Sequence, residues 1–425
     1  AWRESEGLVY SMEENRVVVT GLGVISAVGN DIPTFWQSLR EGKSGVGPLM
    51  TFDASKFDSR IAAEVKGFNP VLYGLSTKDT KRMDKFVQFA VAASKQAITD
   101  SGLELDKEDR ARIGVLIGSG IGSLHIIEEE FKVYLEKGPS KLSPFLIPML
   151  IINEASGNVA IIFGLKGPNS CVATACATGS HAIGDAFKIL ERGDADVMVC
   201  GGTESAITIL GLGGFCALKG LSTRNNEPQK ASRPFDRERD GFVMAEGCGV
   251  VVLETLEHAK KRKARIYAEI SGYGMSCDAY HMTAPDPDGE GAARSMKEAL
   301  KDAKINPKDV DYINAHGTST KLNDKIETLA FKKTLGAHAK KVMISSTKSM
   351  TGHALGAAGG IEFVICCLTI KDGVVPPTIN YEFTDPDCDL DYVPNSAREA
   401  EVNVCMSDSL GFGGHNATLI VNKFK

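Results

Sequence analysis

Apolar runs of strand length alternate with segments of helical period along most of the chain. The runs RVVVTGLGVIS (16–26), RIGVLIGSGIG (112–122), ADVMVCGG (195–202) and GVVVLETL (249–256) predict strands in the first half. In the second half IYAEISGYG (266–274), DYINAHGTST (311–320), KVMISSTKS (341–349) and NVCMSDS (403–409) do the same. Helical spacing occupies 84–101, 181–192, 291–303, 322–335 and 354–371, the last apolar on nearly every side. Strands apolar throughout and separated by helices predict an α/β protein whose sheets are covered on both faces.

The same order of motifs occurs twice. CATGSHAIG places Cys176 five residues before His181, and KSMTGHALG places Lys348 five residues before His353. Each follows a small-residue strand end and precedes a helix. The ordered set suggests a duplicated unit with its junction near 256–268, giving halves 12–262 and 263–425. Residues 124–165 find no counterpart in the second half and read as an inserted cap or interface region. Residues 1–11 have no apolar core of a signal peptide and are set apart as a terminal extension. If the halves are related by a pseudo-dyad, the loops bearing Cys176, His316 and Lys348–His353 converge on one cavity.

Composition narrows the class. The 425 residues carry a net charge of −6, with 43% apolar and 24% charged residues, which fits a globular protein and gives no bulk attraction to nucleic acid. The longest apolar run, FLIPMLII (145–152), is too short to span a bilayer. Ten cysteines fall mostly inside apolar runs with no CxxC pair or His/Cys ligand spacing, so neither disulfides nor a zinc site is expected, and the compartment reads as reducing.

Cys176 stands where a loop rich in alanine and glycine opens a helix. Unpaired N–H groups and the dipole there favour thiolate and can hold an oxyanion. Cys171, on the preceding run, reads as packing. His316 exits a strand beside Thr318 and Thr320, whose hydroxyls can meet an amide-bearing substrate. His353 opens the second helix, and Lys348 can orient or charge-tune a histidine. LGFGGHN (410–416) lacks the spacing of a phosphate cradle and reads as a tight turn that sets Phe412 at the cavity, its N–H a second oxyanion donor. GSGIG (118–122) is likewise no dinucleotide fingerprint.

Together TACATGSHAIG, STRNNEPQKASRPFDRERDGFVMAEG, NAHGTST, SSTKSMTGHALGAAGG and SLGFGGHN resemble the signature set of the β-ketoacyl-[acyl-carrier-protein] synthases, condensing enzymes of the thiolase-fold family, and most closely their synthase II branch. The resemblance covers about residues 15–425. It implies a duplicated thiolase-like fold in five αβαβα layers, a homodimer, and no cofactor or metal, phosphopantetheine arriving on the carrier substrate. It implies Cys176 as acyl acceptor, His316 and His353 as catalytic histidines, Lys348 and Glu362 in support, and an oxyanion hole at Cys176 and Phe412. Phe412 is also implied as a gate, Leu410, Ile121 and Phe215 as acyl-pocket lining, and Thr318 and Thr320 as pantetheine ligands.

An acidic acyl carrier protein would be the partner, docking on Lys78, Lys81, Arg82, Lys85, Lys219 and Arg224. The expected reaction is decarboxylative condensation of acyl- and malonyl-carrier to 3-oxoacyl-carrier in fatty-acid elongation, in a bacterial cytoplasm or an organelle matrix. Asp408, where the family usually has asparagine, Leu410, where many members have phenylalanine, and Lys321, which replaces a common proline, depart from the pattern. The alternatives are a polyketide-type ketosynthase, disfavoured because the chain ends after its last strand, and a non-catalytic chain-length partner, disfavoured by Cys176. A cysteine hydrolase is a third, which would leave one histidine and the lysine idle.

Overall fold

The computed structural model describes residues 14–425; the extension 1–11 lies outside them. Ten strands carry the architecture. In the first half they are β1 (Val17–Ile25), β2 (Ile113–Gly118), β3 (Asn169–Ser170), β4 (Val197–Glu204) and β5 (Gly247–Thr255). In the second they are β6 (Ala268–Cys277), β7 (Tyr312–Asn314), β8 (Met343–Ser345), β9 (Val404–Gly411) and β10 (His415–Asn422). They join one sheet in the order β8-β7-β9-β10-β6-β1-β5-β4-β2-β3.

Read outward from the β1–β6 junction, the two halves are the same. β1/β5 and β6/β10 are antiparallel, as are β5/β4 and β10/β9. β4/β2 and β9/β7 are parallel, as are β2/β3 and β7/β8. The halves meet where Val17, Val18 and Val19 pair antiparallel with Ile270, Glu269 and Ala268. The expected duplication is therefore present, with its two sheets continuous.

Helices complete five layers. α1 (Lys85–Ser101) packs outside β1, β4 and β5, and α3 (Glu154–Phe163) packs on α1 and β2, with the exposed α2 (Leu124–Lys137) before it. On the opposite outer face α5 (Glu290–Asp302) covers β6 and β10, beside α6 (Lys321–Leu335). Between the half-sheets α4 (Thr178–Glu191) and α7 (Ala358–Asp372) contact each other and strands of both halves. Every residue of α7 from Ala358 to Ile370 is buried, as an all-round apolar helix requires. The outer helices sit close because glycines face them. A Cβ on Gly21 would lie 2.1 Å from the Ala97 carbonyl of α1, and one on Gly272 would lie 2.3 Å from the Ala299 carbonyl of α5.

Two expectations need correction. The repeat is real, but its register differs from the one read off HAIG and HALG. Each central helix is entered through a 3₁₀ turn, Ala175–Ala177 or Leu355–Ala357, whose first residue is left-handed at φ 50° and 49°. Cys176 therefore matches Gly356, and His181 matches Ile361 rather than His353. The segment 124–165 is also only partly without counterpart, because α3 packs on α1 as α6 packs on α5.

Candidate active site

The apolar runs of β7 and β8 stop short because their continuations turn into loops that carry chemistry. After β7 the chain runs through His316, Gly317 at φ 36° and Ser319 at φ 68°. Glu327 of α6 accepts the N–H of His316 at 2.7 Å and of Gly317 at 2.8 Å, which pins the loop. Thr318 and Thr320 bond each other through their hydroxyls at 2.9 Å.

A clamp from residues 233–241 holds the same loop from outside. The Arg233 N–H donates to Ser319 Oγ, and Arg239, ion-paired with Asp385 at 2.6 Å, donates to the Thr320 and Lys321 carbonyls at 3.0 Å each. Arg233 itself is buried against Asp236 at 3.0 Å. The sequence marked this segment only by resemblance; its buried arginines are what it contributes.

After β8 a four-residue helix, Lys348–Thr351, leads to His353, whose backbone bonds Val243 and Ala245. The β9–β10 hairpin turns through Phe412, Gly413 at φ 85° and Gly414 at φ 75°, a path that favours glycine at the last two positions. These loops enclose a cavity of about 510 Å³. It is lined by Cys176, His316, His353, Thr318, Thr320, Ile121, Phe215, Leu410 and Phe412, with Lys219 at its edge.

At its floor His353 Nε2 lies 3.1 Å from Cys176 Sγ, and the sulfur and both imidazoles offer atoms within 4.8 Å of one another. Lys348 is buried behind them. Its ammonium donates to the His316 carbonyl at 2.6 Å, reaches His316 Nδ1 at 3.4 Å and is paired with Glu362. With Lys348 donating to Nδ1, the neutral His316 ring carries its proton on Nε2. Burial, reinforced by Lys348, holds both histidines well below the ordinary imidazole value, so both are neutral.

The thiol departs from expectation. Cys176 does sit at the mouth of α4, but burial pushes it up to about 12. Lys348 and the Phe412 N–H pull it back, and Glu204 pushes it further up. The resting sulfur therefore keeps its proton. Desolvation outweighs the helix mouth because burial leaves the sulfur little solvent to share the charge.

Two residues escaped sequence reasoning, and a third was noticed without its setting. Glu204, at the end of β4, is fully buried and raised to about 7 by that burial. It accepts from Ser119 Oγ at 2.8 Å and from the N–H groups of Gly120, Ile121 and Gly356. It thereby ties the loop bearing Ile121 to the turn after His353. Phe242 stands edge-on to His353 at 5.3 Å and to Phe215 at 5.2 Å, while Phe412 lies 6.4 Å from Phe215 at the mouth. Asp408, seen in sequence only as an unusual residue, is buried against Glu327, and neither of its oxygens has a hydrogen-bond partner among the described residues.

Other expected positions separate. Cys171 is only half-buried, at the end of a two-residue strand. His181 holds the Cys176 turn through Thr174 Oγ1 at 2.8 Å and does not line the cavity. Of the basic residues, Lys78, Lys81 and Arg82 are exposed. Lys85 is half-buried in an ion pair with Glu246, Lys219 pairs with Asp58 at 2.6 Å, and Arg224 donates to the Glu238 carbonyl at 3.0 Å.

Comparison with known proteins matches residues 14–259 to the family described as "Beta-ketoacyl synthase, N-terminal domain" and residues 267–382 to its C-terminal domain. The chain belongs to the β-ketoacyl synthase family. It is thus a condensing acyltransferase of thiolase-like fold. A relative from Coxiella burnetii, named 3-oxoacyl-[acyl-carrier-protein] synthase 2, is 57% identical over 97% of this chain and 99% of its own. One of the same name from Synechocystis is 54% identical over 98% of this chain and 100% of its own. Among solved structures, a type II polyketide ketosynthase in complex with its acyl-carrier protein is 39% identical at a TM-score of 0.90, covering 97% of this chain and 100% of that one. A β-ketoacyl synthase from Burkholderia phymatum is 35% identical at 0.89, with the same two coverages. No helix among the described residues is long and apolar enough to cross a membrane.

Proposed function

We propose that this β-ketoacyl synthase elongates fatty acyl chains as a 3-oxoacyl-[acyl-carrier-protein] synthase of type 2. The observation that carries the reading is the Cys176 thiol 3.1 Å from one neutral imidazole, with a second beside it, at the floor of a mostly apolar cavity. Acyl transfer to Cys176 is proton-neutral overall, so the work that two neutral imidazoles side by side share is the condensation.

Cys176 Sγ attacks the thioester carbon of an acyl-carrier. The tetrahedral oxyanion rests on the N–H groups of Cys176 and Phe412, and the carrier thiol leaves with the proton the sulfur gave up. Malonyl-carrier then enters past Phe412, its pantetheine amides against Thr318 and Thr320. Carbon dioxide leaves, and the enolate oxygen accepts hydrogen bonds from the Nε2 groups of His316 and His353. The carbanion attacks the acyl-Cys176 carbonyl, the C–S bond breaks, and a 3-oxoacyl-carrier two carbons longer is released while the sulfur regains a proton.

Burial and the Lys348 charge support neutral histidines as the donors. Lys348 holds a cation behind them, and an imidazolium there would add like charge in a buried site. Decarboxylation supplies the driving force, so the reading needs no cofactor or metal.

An acyl carrier protein is the partner in this reading, supported by the carrier-bound polyketide relative and by exposed Lys78, Lys81 and Arg82. A homodimer is supported by the apolar surface of residues 124–165, where Phe131, Leu135, Ile147 and Ile161 are exposed. Acyl-carrier supplied without malonyl-carrier tests the function: acyl-enzyme should accumulate and stop, whereas steady release of free acid marks a hydrolase and overturns the reading.

A further inference from the structure

We propose that Cys176, His316 and His353 form a binding site for a thiophilic divalent cation of the zinc class, and that its occupation reversibly blocks acyl loading. The sequence shows no ligand spacing for zinc; the fold assembles one from three distant loops. Among the described residues this is the one group of three such side chains whose donor atoms all lie within 4.8 Å of one another. Cys176 Sγ and His353 Nε2 are already 3.1 Å apart; His316 offers Nε2 once its ring proton moves to Nδ1 and Lys348 keeps only the His316 carbonyl and Glu362 as partners. Tetrahedral zinc, with bonds of about 2.3 Å to sulfur and about 2.0 Å to nitrogen, needs donors roughly 3.3–3.6 Å apart. The site is reached by side-chain shifts on the order of an ångström.

The donor set selects the metal. Thiolate and imidazole suit zinc or cobalt, whereas magnesium and calcium need oxygen ligands. The neighbouring carboxylates are engaged elsewhere, Glu362 by Lys348 and Glu204 by Ser119 and three backbone N–H groups. The Glu362 pair also offsets the lysine charge that would otherwise repel a cation. Three protein ligands with a fourth position opening into the cavity make an exchangeable site rather than a closed structural one. As the metal binds, the thiol proton leaves to solvent and the ring proton of each neutral imidazole passes from Nε2 to Nδ1, with no change of oxidation state. The sulfur lone pair that attacks the thioester is then held by the metal. This goes beyond the condensing reading, although it uses the same thiol and the same two imidazoles.

The test titrates the full-length protein, kept reduced with a phosphine, with Co²⁺ alone. The expected result is one equivalent bound, with a thiolate-to-cobalt charge-transfer band and strong tetrahedral visible bands that Zn²⁺ abolishes. Cys176→Ser should lose the charge-transfer band, and His316→Ala should weaken binding by at least about 10-fold, the lower end of what loss of an outer-shell partner alone costs, circular dichroism confirming that both are folded. Zn²⁺ should stop acyl loading and EDTA restore it. No charge-transfer band in the parent, a band surviving in Cys176→Ser, or loading indifferent to Zn²⁺ each overturns the proposal. The titration uses no acyl or malonyl substrate, so its failure is distinct from failure of the condensing reading.

Discussion

Asp408→Asn should stabilise the protein, and more so the higher the pH. Asp408 lies buried in β9 against Glu327, the residue that holds the His316 and Gly317 N–H groups. Burial raises Asp408 from 3.8 to about 7; the adjacent Glu327 carboxyl opposes the rise, Glu362 adds to it, and Lys348 opposes it. Glu327 is raised well above its usual value by burial and by Asp408. Because the folded value of Asp408 lies above the unfolded one, its contribution to stability is full below about 3.8 and is lost as pH climbs through about 7. At about 1.4 kcal/mol per pH unit, ionising it inside the fold costs on the order of 4 kcal/mol.

Asparagine of the same shape cannot ionise, and its amide can donate to Glu327. The variant and parent should therefore melt within a degree or two of each other near pH 5, and the variant should melt higher by a gap that widens up to about pH 8. Calorimetric Tm values across that range make the measurement. A gap independent of pH, or a parent more stable at alkaline pH, refutes the placement of Asp408 in a carboxyl pair.

His353→Ala should leave acyl loading detectable, since exchange between two thioesters is proton-neutral. Condensation should fall roughly 100- to 1,000-fold for the lost donor; equal losses in both half-reactions contradict the division of roles, as single-turnover assays will show. His258 bridges Glu254 and Glu108 at 2.6 and 3.1 Å and is raised by that pairing, so its contribution is full below about 6.5 and lost as pH rises through the raised value. His258→Gln should accordingly cost on the order of 1–3 kcal/mol near pH 6 and less near pH 9, read from denaturation midpoints. Added salt should lower kcat/KM for acyl-carrier while leaving a short pantetheine thioester nearly unaffected, which stopped-flow loading can compare.

The strands and central helices were legible because continuous apolar runs separated by helical spacing admit few other architectures, and β1, β4 and β5 fall on the runs predicted. β10 was missed although ATLIV (417–421) is strand-like, because its turn GFGG drew the reading toward the cavity. The duplication was legible and its register was not. HAIG and HALG align by sequence, yet the turns at Ala175 and Leu355 show what is equivalent, and backbone conformation leaves no letter in the chain. The pairs Gly21/Gly23 and Gly272/Gly274 would have been the better guide, since each marks where an outer helix touches its strand. Cys176, His316 and His353 were legible as chemistry. The resting state of the thiol was not, because burial by Glu204, Phe242 and the α4–α7 layer is a property of tertiary packing. Glu204, Arg233 and Arg239 read as ordinary charged residues until the fold encloses them.

The central claim is that Cys176 carries the acyl chain and that the two histidines then drive its condensation. Mass spectrometry of the protein loaded with acyl-carrier and chased with malonyl-carrier tests it most directly. The account predicts one acyl adduct on the Cys176 peptide, stable until malonyl-carrier is added, then lost in step with release of CO₂ and a 3-oxoacyl-carrier longer by two carbons. An adduct on another residue, or loss of the Cys176 adduct as free acid on the same timescale, contradicts it.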